Sequence, residues 1–419
     1  MDIQFVNQLI EEKQDELFAL LSKLIQINSE NFNTHGNEKP CAEYIHELCK
    51  ELGLESDLYS PMDIEGFAQH PDYVPGRNLE NRPNVTARWK GTEDIDELML
   101  MGHTDTVPIG NPAGWICDPV GGEIRDGKVW GRGACDDKYA LATCLFLIKL
   151  LKENGFAPKA NLLFTAYCDE EGGGSHGALA AGLKYPCNRI VNMDGKSKQI
   201  WHCASGGQEA VYKYHVNEPL DSAERTAEAL HVVLQVLKRF GQRRRAELEA
   251  NPNYAGTVYP ATSFRYNEVG AAINGAAPNV GYLRFTYYTD KTKDVIWQEF
   301  AELDAELSEK LAPLGIVSDG FSPATRFFHY GCCPPDCEEV LDMVAAGREA
   351  ADREPIVCGS CLSDLSVILK YGSPKAFAFG EGRNFADEGG AHQPNEYIEC
   401  DMLVAYTKTI AAYILKVLG

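Results

Sequence analysis

The segment from Leu98 to Pro108 reads LMLMGHTDTVP and joins a predicted strand to two residues of metal-binding type. Its first four residues are apolar, a pattern typical of a short strand buried on both faces. His103 and Asp105 follow directly. Side chains that come just after a buried strand lie at the edge of an α/β sheet, where such folds bind their ligands. The segment therefore predicts a mostly parallel α/β sheet with a ligand site at one edge.

Four further segments place a carboxylate or an imidazole beside a predicted strand or helix. Asp136 precedes a helix predicted at 138–152, Asp169-Glu170-Glu171 follows a strand at 161–167, Asp194 follows a strand at 190–193, and His392 follows a strand at 375–379. Because the carboxyl ends of parallel strands meet at one edge of a sheet, we expect these side chains to converge on a single crevice.

The residue types in this set suit a pair of divalent cations. One bridging carboxylate, two imidazoles and two further carboxylates would hold two ions about 3.5–4 Å apart and leave a position open for water. Taken singly, each residue has a more ordinary explanation, since aspartates cap helices or turns and acidic runs are often solvated loops. Occurring together, they predict a metal-dependent hydrolase. A further carboxylate would take the proton of water and return it to a leaving amine.

The order and length of the predicted strands and helices along the chain indicate two domains, one inserted into the other. Residues 1–207 and 323–419 alternate short apolar strands with helices, beginning with a helical pattern over the first 27 residues. Residues 208–322 contain two long helical patterns, at 222–248 and 294–314, with strand-like runs around them. We expect an α/β catalytic domain built from the outer segments and an inserted α+β domain.

Composition excludes several classes of function. The chain has 419 residues and a formal net charge of −22, so its surface repels nucleic-acid backbones. It contains no apolar run near the roughly 18 residues of a membrane span, and its acidic N-terminal segment lacks a signal-peptide pattern. We expect a cytoplasmic protein that acts on a small molecule, without nucleic-acid or membrane partners.

The fourteen cysteines are expected to be buried free thiols, because a reducing cytosol disfavours disulfide bonds. A structural zinc site is the alternative. Cys358 and Cys361 have C-x-x-C spacing, and Cys332, Cys333 and Cys337 lie upstream of them.

Three motifs carry a resemblance to a known family. They are Gly102-His103-Thr-Asp105-Thr-Val-Pro108, Gly131-Arg-Gly-x-x-Asp136-x-Lys138 and Asp169-Glu170-Glu171. Together they resemble the motifs of the M20 metallopeptidase family, which includes aminoacylases, acetylornithine deacetylase and succinyl-diaminopimelate desuccinylase. The resemblance extends over essentially the whole chain.

The resemblance implies a role for each residue of the set. Asp136 would bridge two metals, His103 and Asp194 would complete one site, and Glu171 and His392 the other. Glu170 would be the general acid/base, and Asp105 would hold the ring of His103 in its tautomer. The metals implied are two divalent ions, zinc first, with cobalt or manganese as alternatives. The family also has a cis peptide bond at the position of Asp136-Asp137, and its inserted domain serves as a lid that commonly carries a dimer contact.

The predicted lid departs from the family pattern. Family lids carry a histidine that stabilises the oxyanion, and the nearest counterpart here is His215, with His202 weaker and His231 more typical of a helix core. Asn279 matches the lid asparagine, so His215 and Asn279 are the candidate substrate-binding residues. An arginine that grips a substrate carboxylate is not evident, although Arg265 and Arg284 are candidates.

Three hypotheses follow for the function. The first is hydrolysis of the amide bond of a small N-acyl amino acid or related compound. The second, within the same chemistry, is a dipeptidase or carboxypeptidase acting on a short peptide. The third is a metal-binding homologue without hydrolytic activity, which the altered lid would favour.

Overall fold

The computed structural model describes residues 1–216, 222–272, 279–351 and 353–419. The chain divides into two compact units. The first unit comprises Met1–Cys203, Cys332–Cys358 and Val367–Gly419, and the second comprises Ala204–Gly331 and Gly359–Ser366. The predicted block at 208–322 lies inside the second unit, which extends further in both directions. Only Ser205 separates the strands on either side of the first boundary, so no linker marks that boundary in the sequence.

The described residues form sixteen strands. They are β1 (Glu55–Tyr59), β2 (Asn84–Trp89), β3 (Asp96–His103), β4 (Glu123–Arg125), β5 (Lys128–Trp130), β6 (Asn161–Tyr167), β7 (Arg189–Asn192), β8 (Gln199–Ala204), β9 (Gly206–Val216), β10 (Phe264–Ala272), β11 (Asn279–Thr289), β12 (Ile316–Pro323), β13 (Gly331–Cys332), β14 (Ile356–Gly359), β15 (Ala376–Gly380) and β16 (Tyr397–Glu399).

Eleven helices accompany these strands in the described parts of the chain. They are α1 (Ile3–Glu12), α2 (Gln14–Ile25), α3 (Lys39–Glu51), α4 (Lys138–Glu153), α5 (His176–Lys184), α6 (Ser222–Ala250), α7 (Tyr259–Thr262), α8 (Lys293–Leu311), α9 (Glu338–Ala351), α10 (Leu365–Val367) and α11 (Cys400–Leu418). The helical pattern over the first 27 residues is thus two helices that meet at Lys13. No helix among the described residues is long and apolar enough to cross a membrane.

The first unit is built on a mixed sheet with the order β1-β2-β6-β3-β7-β15-β8-β13, to which β14 adds by pairing with β8. Its four central strands, β6, β3, β7 and β15, run parallel, whereas β1, β2 and β8 pair antiparallel with their neighbours. All seven residues of β6 are buried, as expected for a central strand covered on both faces. The predicted α/β fold with a mainly parallel central sheet is confirmed.

The core of the first unit explains why α4 has so little polar surface. Thirteen of its sixteen residues are buried, because α4 packs against both β3 and the helix α2. A helix that is apolar on every side belongs inside a protein rather than on its surface. Since α4 begins at Lys138, this packing fixes the position of Asp136, two residues before the helix.

The second unit is a four-stranded antiparallel sheet with the order β10-β11-β9-β12. The helices α6 and α8 pack against this sheet, and their apolar faces form its core. The core includes Phe240, Phe285 and Phe300, whose rings contact one another. The strand β10 lies at the edge of the sheet, and most of its residues are exposed.

The expectation that all cysteines are free is wrong at one pair. Cys203 and Cys332 form a disulfide bond across a sequence separation of 129 residues. Cys203 is the last residue of the first unit before the chain enters the second, and Cys332 is the first residue after its return. The two strands that carry them, β8 and β13, are neighbours in the sheet. Sequence spacing did not reveal this proximity, because it depends on the path of the whole inserted unit.

Candidate metal centre

Three neighbouring parallel strands bring the predicted residues to one edge of the sheet. His103 is the last residue of β3 and pairs in register with Tyr167 at the end of β6. Asp169, Glu170 and Glu171 follow β6, and Asp194 follows β7, which pairs with the other side of β3. The order of the strands thus assembles residues from distant parts of the sequence, as the carboxyl ends of parallel strands predict.

His103, Asp136 and Glu171 form the tightest part of this cluster. One potential ligand atom from each of the three lies within 4.8 Å of the others. Among the described residues this is the group of histidines, cysteines and acids close enough to hold a metal ion, and it contains no cysteine. The alternative of a zinc site built from Cys332 to Cys361 is therefore not supported.

Asp136 occupies the middle of the cluster, because its two carboxylate oxygens face two different histidines. Its Oδ1 lies 3.1 Å from Nε2 of His103, and its Oδ2 lies 3.2 Å from Nε2 of His392. The Asp136-Asp137 peptide bond is cis, as the family resemblance implied. A carboxylate with one oxygen directed to each imidazole has the arrangement that a shared ligand of two cations requires.

His392 comes from the loop between β15 and β16 and closes the other side of the cluster. Its Nε2 lies 2.9 Å from Oε2 of Glu171. An ion pair between Arg132 and Glu396, 2.6 Å long and buried, ties this loop to the segment that carries Asp136. The second oxygen of Glu396 accepts a hydrogen bond from the backbone N–H of Cys135. His392 itself is 38% exposed, so this side of the cluster is open to solvent.

Asp194 contributes a third carboxylate to the electrostatics of the cluster. Burial, and after it the negative charge of Asp136, raises the pKa of Asp194 to about 7. Burial also raises the pKa of Glu171. Burial is the main cause of both shifts, and a nearby cation would favour the charged form of each carboxylate. The donor set of carboxylates and imidazoles therefore fits divalent metal ions.

The carboxylates of the cluster in turn raise the pKa values of both histidines. Burial alone would lower the pKa of His392, but Glu171 and Asp136 outweigh it and raise the pKa to about 11. The same balance, with Asp136 as the main partner, raises the pKa of His103 well above its usual range. Burial would raise the pKa of Asp136, yet hydrogen bonds from both histidines hold it well below the ordinary value.

Asp105 contacts His103 through its backbone rather than through its carboxylate. Nδ1 of His103 lies 2.8 Å from the carbonyl oxygen of Asp105 and 3.7 Å from Oδ1. Since a carbonyl only accepts, Nδ1 carries a proton. Nε2 donates its own proton to Asp136 and is the nitrogen that would bind a metal once that proton is lost. The carboxylate of Asp105 instead accepts hydrogen bonds from the backbone N–H groups of Glu170 and Glu171. Asp105 thus fixes the tautomer of one residue and the position of two others.

Glu170 lies in the same turn as Glu171 but is partly exposed, whereas Glu171 is buried. Its negative charge acts on His103. The turn begins at Asp169, whose φ of 62° is in the left-handed region. One carboxylate of this pair thus faces the cluster, and the other is accessible from solvent.

The residues that hold this turn in place were not predicted from the sequence. Asp169 is completely buried and forms ion pairs with Arg77 and Arg82, at 2.8 and 2.7 Å. Asn31 also reaches the turn through its side-chain amide. Arg77 and Arg82 lie in a proline-bearing stretch without a regular pattern, and Asn31 belongs to no motif. Of these residues, only Asp169 could be linked to the site from the sequence, because it precedes the Glu pair.

The predicted substrate-binding residues lie in the second unit, on neighbouring strands. His215 is in β9 and pairs in register with Val280, next to Asn279 at the start of β11. Nδ1 of His215 lies 2.7 Å from Oδ1 of Asp319. Asn279 is buried.

The remaining substrate-binding candidates from the sequence are two histidines and two arginines. His202 is buried in the first unit with Nδ1 at 2.9 Å from the carbonyl oxygen of Cys333, a structural contact. His231 is exposed on α6 rather than buried in a helix core. Arg284 forms an ion pair with Glu209, and Arg265 donates to the hydroxyl of Tyr288.

Comparisons with known proteins agree with this geometry. Residues 99–416 match the model of peptidase family M20/M25/M40. An uncharacterised metallohydrolase of Methanocaldococcus jannaschii is 34% identical over 418 residues, covering 93% of this chain and 96% of the relative. Succinyl-diaminopimelate desuccinylase of Acinetobacter baumannii is 27% identical over 240 residues, 52% of this chain and 60% of the enzyme.

The fold is also that of solved structures. The dipeptidase Dug1p of Saccharomyces cerevisiae superposes with a TM-score of 0.71 at 18% sequence identity, covering 99% of this chain and 98% of the yeast chain. At that identity the likeness concerns the fold alone. The family match and the full-length relative show that the chain belongs to peptidase family M20/M25/M40 and is a metallohydrolase of amide bonds.

Proposed function

We propose that this protein hydrolyses the amide bond of a small N-acyl amino acid or related compound, with two divalent cations and Glu170 as the general base. The observation that carries the proposal is the position of Asp136, whose two oxygens face His103 and His392 at 3.1 and 3.2 Å. One carboxylate between two imidazoles supports a centre of two metals rather than one.

The remaining residues divide between the two metals by their contacts. Glu171 lies 2.9 Å from His392, so these two would complete one site. Asp194 would complete the other with His103, because both follow neighbouring parallel strands. Zinc is the metal that we propose, while cobalt and manganese also suit histidine and carboxylate ligands.

When bound, two such cations polarise the scissile carbonyl and make water more acidic. Glu170 would take the proton from the water and return it to the nitrogen of the leaving amine. Its partial exposure allows it to face a substrate, and the hydrogen bond from its backbone N–H to Asp105 holds it beside the cluster. His103, with its proton fixed on Nδ1 by Asp105, keeps the lone pair of Nε2 directed towards the centre.

The class of substrate is supported by the desuccinylase relative, whose name describes removal of an acyl group from an amino acid. His215 and Asn279 are the proposed substrate-binding residues, His215 through Nε2, since its Nδ1 contacts Asp319. A dipeptidase or carboxypeptidase activity would use the same water-activating residues. A non-catalytic role is disfavoured, because all five metal-binding candidates and Glu170 are present.

We also propose a homodimer formed through the second unit. Its edge strand β10 is nine residues long and exposes Tyr266 and Val269. Within the described residues, only β11 pairs with this strand. An exposed edge of this length is a template for pairing with another chain.

The experiment that tests the proposed function is a substrate panel assayed on the full chain reconstituted with zinc, cobalt or manganese. The panel contains N-succinyl, N-acetyl and N-formyl amino acids together with dipeptides, and the chelated protein is the control. Metal-dependent release of an amino acid from one N-acyl class would support the proposal. Activity on dipeptides alone would favour the peptidase alternative, and no turnover with any metal would contradict both.

A further inference from the structure

The side-chain amide of Asn31 joins the two loops that form the cluster. It is 3% exposed and lies on the segment before α3, outside every motif of the sequence. Its Nδ2 donates to Oδ2 of Asp105 and to the carbonyl oxygen of Glu171, both at 2.8 Å. The first acceptor belongs to the loop after β3 and the second to the turn after β6. One amide group therefore connects residues that follow two adjacent parallel strands.

The orientation of this amide is fixed by a contact on its other side. Oδ1 of Asn31 accepts a hydrogen bond from the backbone N–H of Asn33 at 2.8 Å. The NH2 group must then face Asp105 and Glu171, which offer only acceptors. The backbone of Asn31 is held as well, since its N–H donates to the carbonyl oxygen of Thr106 at 2.8 Å and Glu30 forms a bridge with Thr106.

A second set of buried charges holds the start of the turn at Asp169. Oδ1 of Asp169 is shared by Arg77 and Arg82, and the amide of Asn31 lies 3.3 Å from it. Oδ2 of Asp169 lies 2.5 Å from Nδ1 of His176. Nε2 of His176 accepts from the backbone N–H of Val74, so Nδ1 is the donor to Asp169. The start of the turn is therefore rigid, and Asn31 links this rigid part to Asp105.

We propose that Asn31 is a positioning residue, which keeps Glu170 and Glu171 at a fixed distance from His103 by clamping the turn to Asp105. This inference rests on the proposed function for its catalytic consequence. Asn31 acts through Asp105 and through the turn that carries Glu170 and Glu171. Misplacement by about 1 Å of a group that orients a reaction costs about 100-fold in rate, and removal of partners behind metal-binding residues costs about 10–100-fold.

The test compares Asn31→Ala with Asn37→Ala in the full chain. Asn37 lies on the same segment with an exposed side chain, and its backbone N–H bonds to Glu30. We expect Asn31→Ala to lower kcat about 10–100-fold with KM within about twofold. Asn31→Ser, which keeps one donor, should recover part of this loss. Asn31→Asp, which keeps the shape but replaces the donor by an acceptor, should not.

A second readout does not depend on turnover. Cobalt(II) bound to each variant gives visible absorption bands that report the geometry of its ligands. We expect these bands to shift in Asn31→Ala and Asn31→Asp and to match the wild type in Asn37→Ala. If Asn31→Ala does not fold, the Asp and Ser variants decide the question.

Unchanged bands and unchanged kcat in folded Asn31 variants would overturn the inference. An equal fall in activity for Asn31→Ala and Asn37→Ala would also overturn it, because the effect would then be one of general stability. If the wild type bound cobalt but hydrolysed no amide, while the bands still shifted in the Asn31 variants, the clamp would stand and the proposed function would fail.

Discussion

Asp136 and His103 approach each other at the centre of the cluster, with Oδ1 of the carboxylate 3.1 Å from Nε2 of the imidazole. The other oxygen of Asp136 makes the equivalent approach to His392. In this way one side chain connects the end of β3 to the loop after β15. The chemistry proposed for the protein depends on that connection.

Metal binding should release protons and become stronger as the pH rises. The pKa of His392 is about 11 and that of Asp194 about 7, so both carry protons at neutral or slightly acidic pH. A cation must displace these protons, since only the deprotonated groups coordinate it. From about pH 6 to about pH 8 the apparent affinity for zinc should increase about tenfold or more per pH unit.

Competition with a chelator at several pH values measures this affinity. Calorimetry in two buffers with different ionisation enthalpies counts the protons released. An affinity that does not change with pH would contradict the assignment of these residues to the metal centre.

Replacing Glu170 with glutamine should remove turnover without removing metal. The amide of glutamine cannot accept the proton of water, and general acid–base catalysis contributes about 10²–10⁴-fold. We expect kcat to fall by that factor while the metal content equals that of the wild type. The same change at the exposed Glu65 serves as the control. Full activity in Glu170→Gln would exclude Glu170 as the base.

The buried ion pair between Arg82 and Asp169 should contribute strongly to the free energy of unfolding. Arg82 contacts Glu38 at 2.6 Å and Asp169 at 2.7 Å, and all three side chains are fully buried. Arg82→Met would leave Glu38 without its ion-pair partner, while Asp169 would keep Arg77 and His176. Breaking a buried ion pair in this way costs about 3–5 kcal/mol.

Arg88→Met is the matched control for this change. Arg88 pairs with Asp96 at 2.7 Å, but its side chain is 29% exposed. An exposed pair contributes about 0–1 kcal/mol. Urea denaturation of both variants gives the comparison, and equal losses of stability would show that the buried pair has no special role.

The disulfide between Cys203 and Cys332 should be detectable by counting thiols. Of the fourteen cysteines, these two are paired. The unfolded protein should therefore present twelve thiols before reduction and fourteen after it. Because the bond closes a loop across 129 residues, replacing both cysteines with serine should lower the free energy of unfolding by about 3–5 kcal/mol. Fourteen thiols before reduction would contradict the presence of the bond.

Much of the fold could be predicted from short apolar runs and helical periodicity. Strands β3 and β6 are buried on both faces and therefore appear as continuous apolar segments, and α4 has strong helical spacing. The strand β10 lacked such a pattern, because an edge strand with exposed residues carries little apolar alternation. The helix α9 was not predicted, although its acidic first turn and its alanines both favour a helix.

The residues of the candidate site that lie at the ends of strands could be predicted from the sequence. His103 is the last residue of β3 and the Glu pair follows β6, so the topology of the sheet brings them to one edge. The residues behind them could not be predicted in the same way. Asn31 contacts Asp105 across a separation of 74 residues, and neither its identity nor its spacing indicates that partner. Contacts that depend on loop paths rather than on regular elements leave no periodic signal.

The most direct test of a centre in which Asp136 is shared by two metals is the number of metal ions bound per chain. The protein is stripped with a chelator, reconstituted with zinc and dialysed, and its metal content is measured for the wild type and for Asp136→Asn. The exposed Asp126→Asn serves as the control. Two ions per chain in the wild type and in the control, with both lost in Asp136→Asn, is the predicted result. A wild type that retains no zinc, or an Asp136→Asn variant that keeps both ions, would contradict the account.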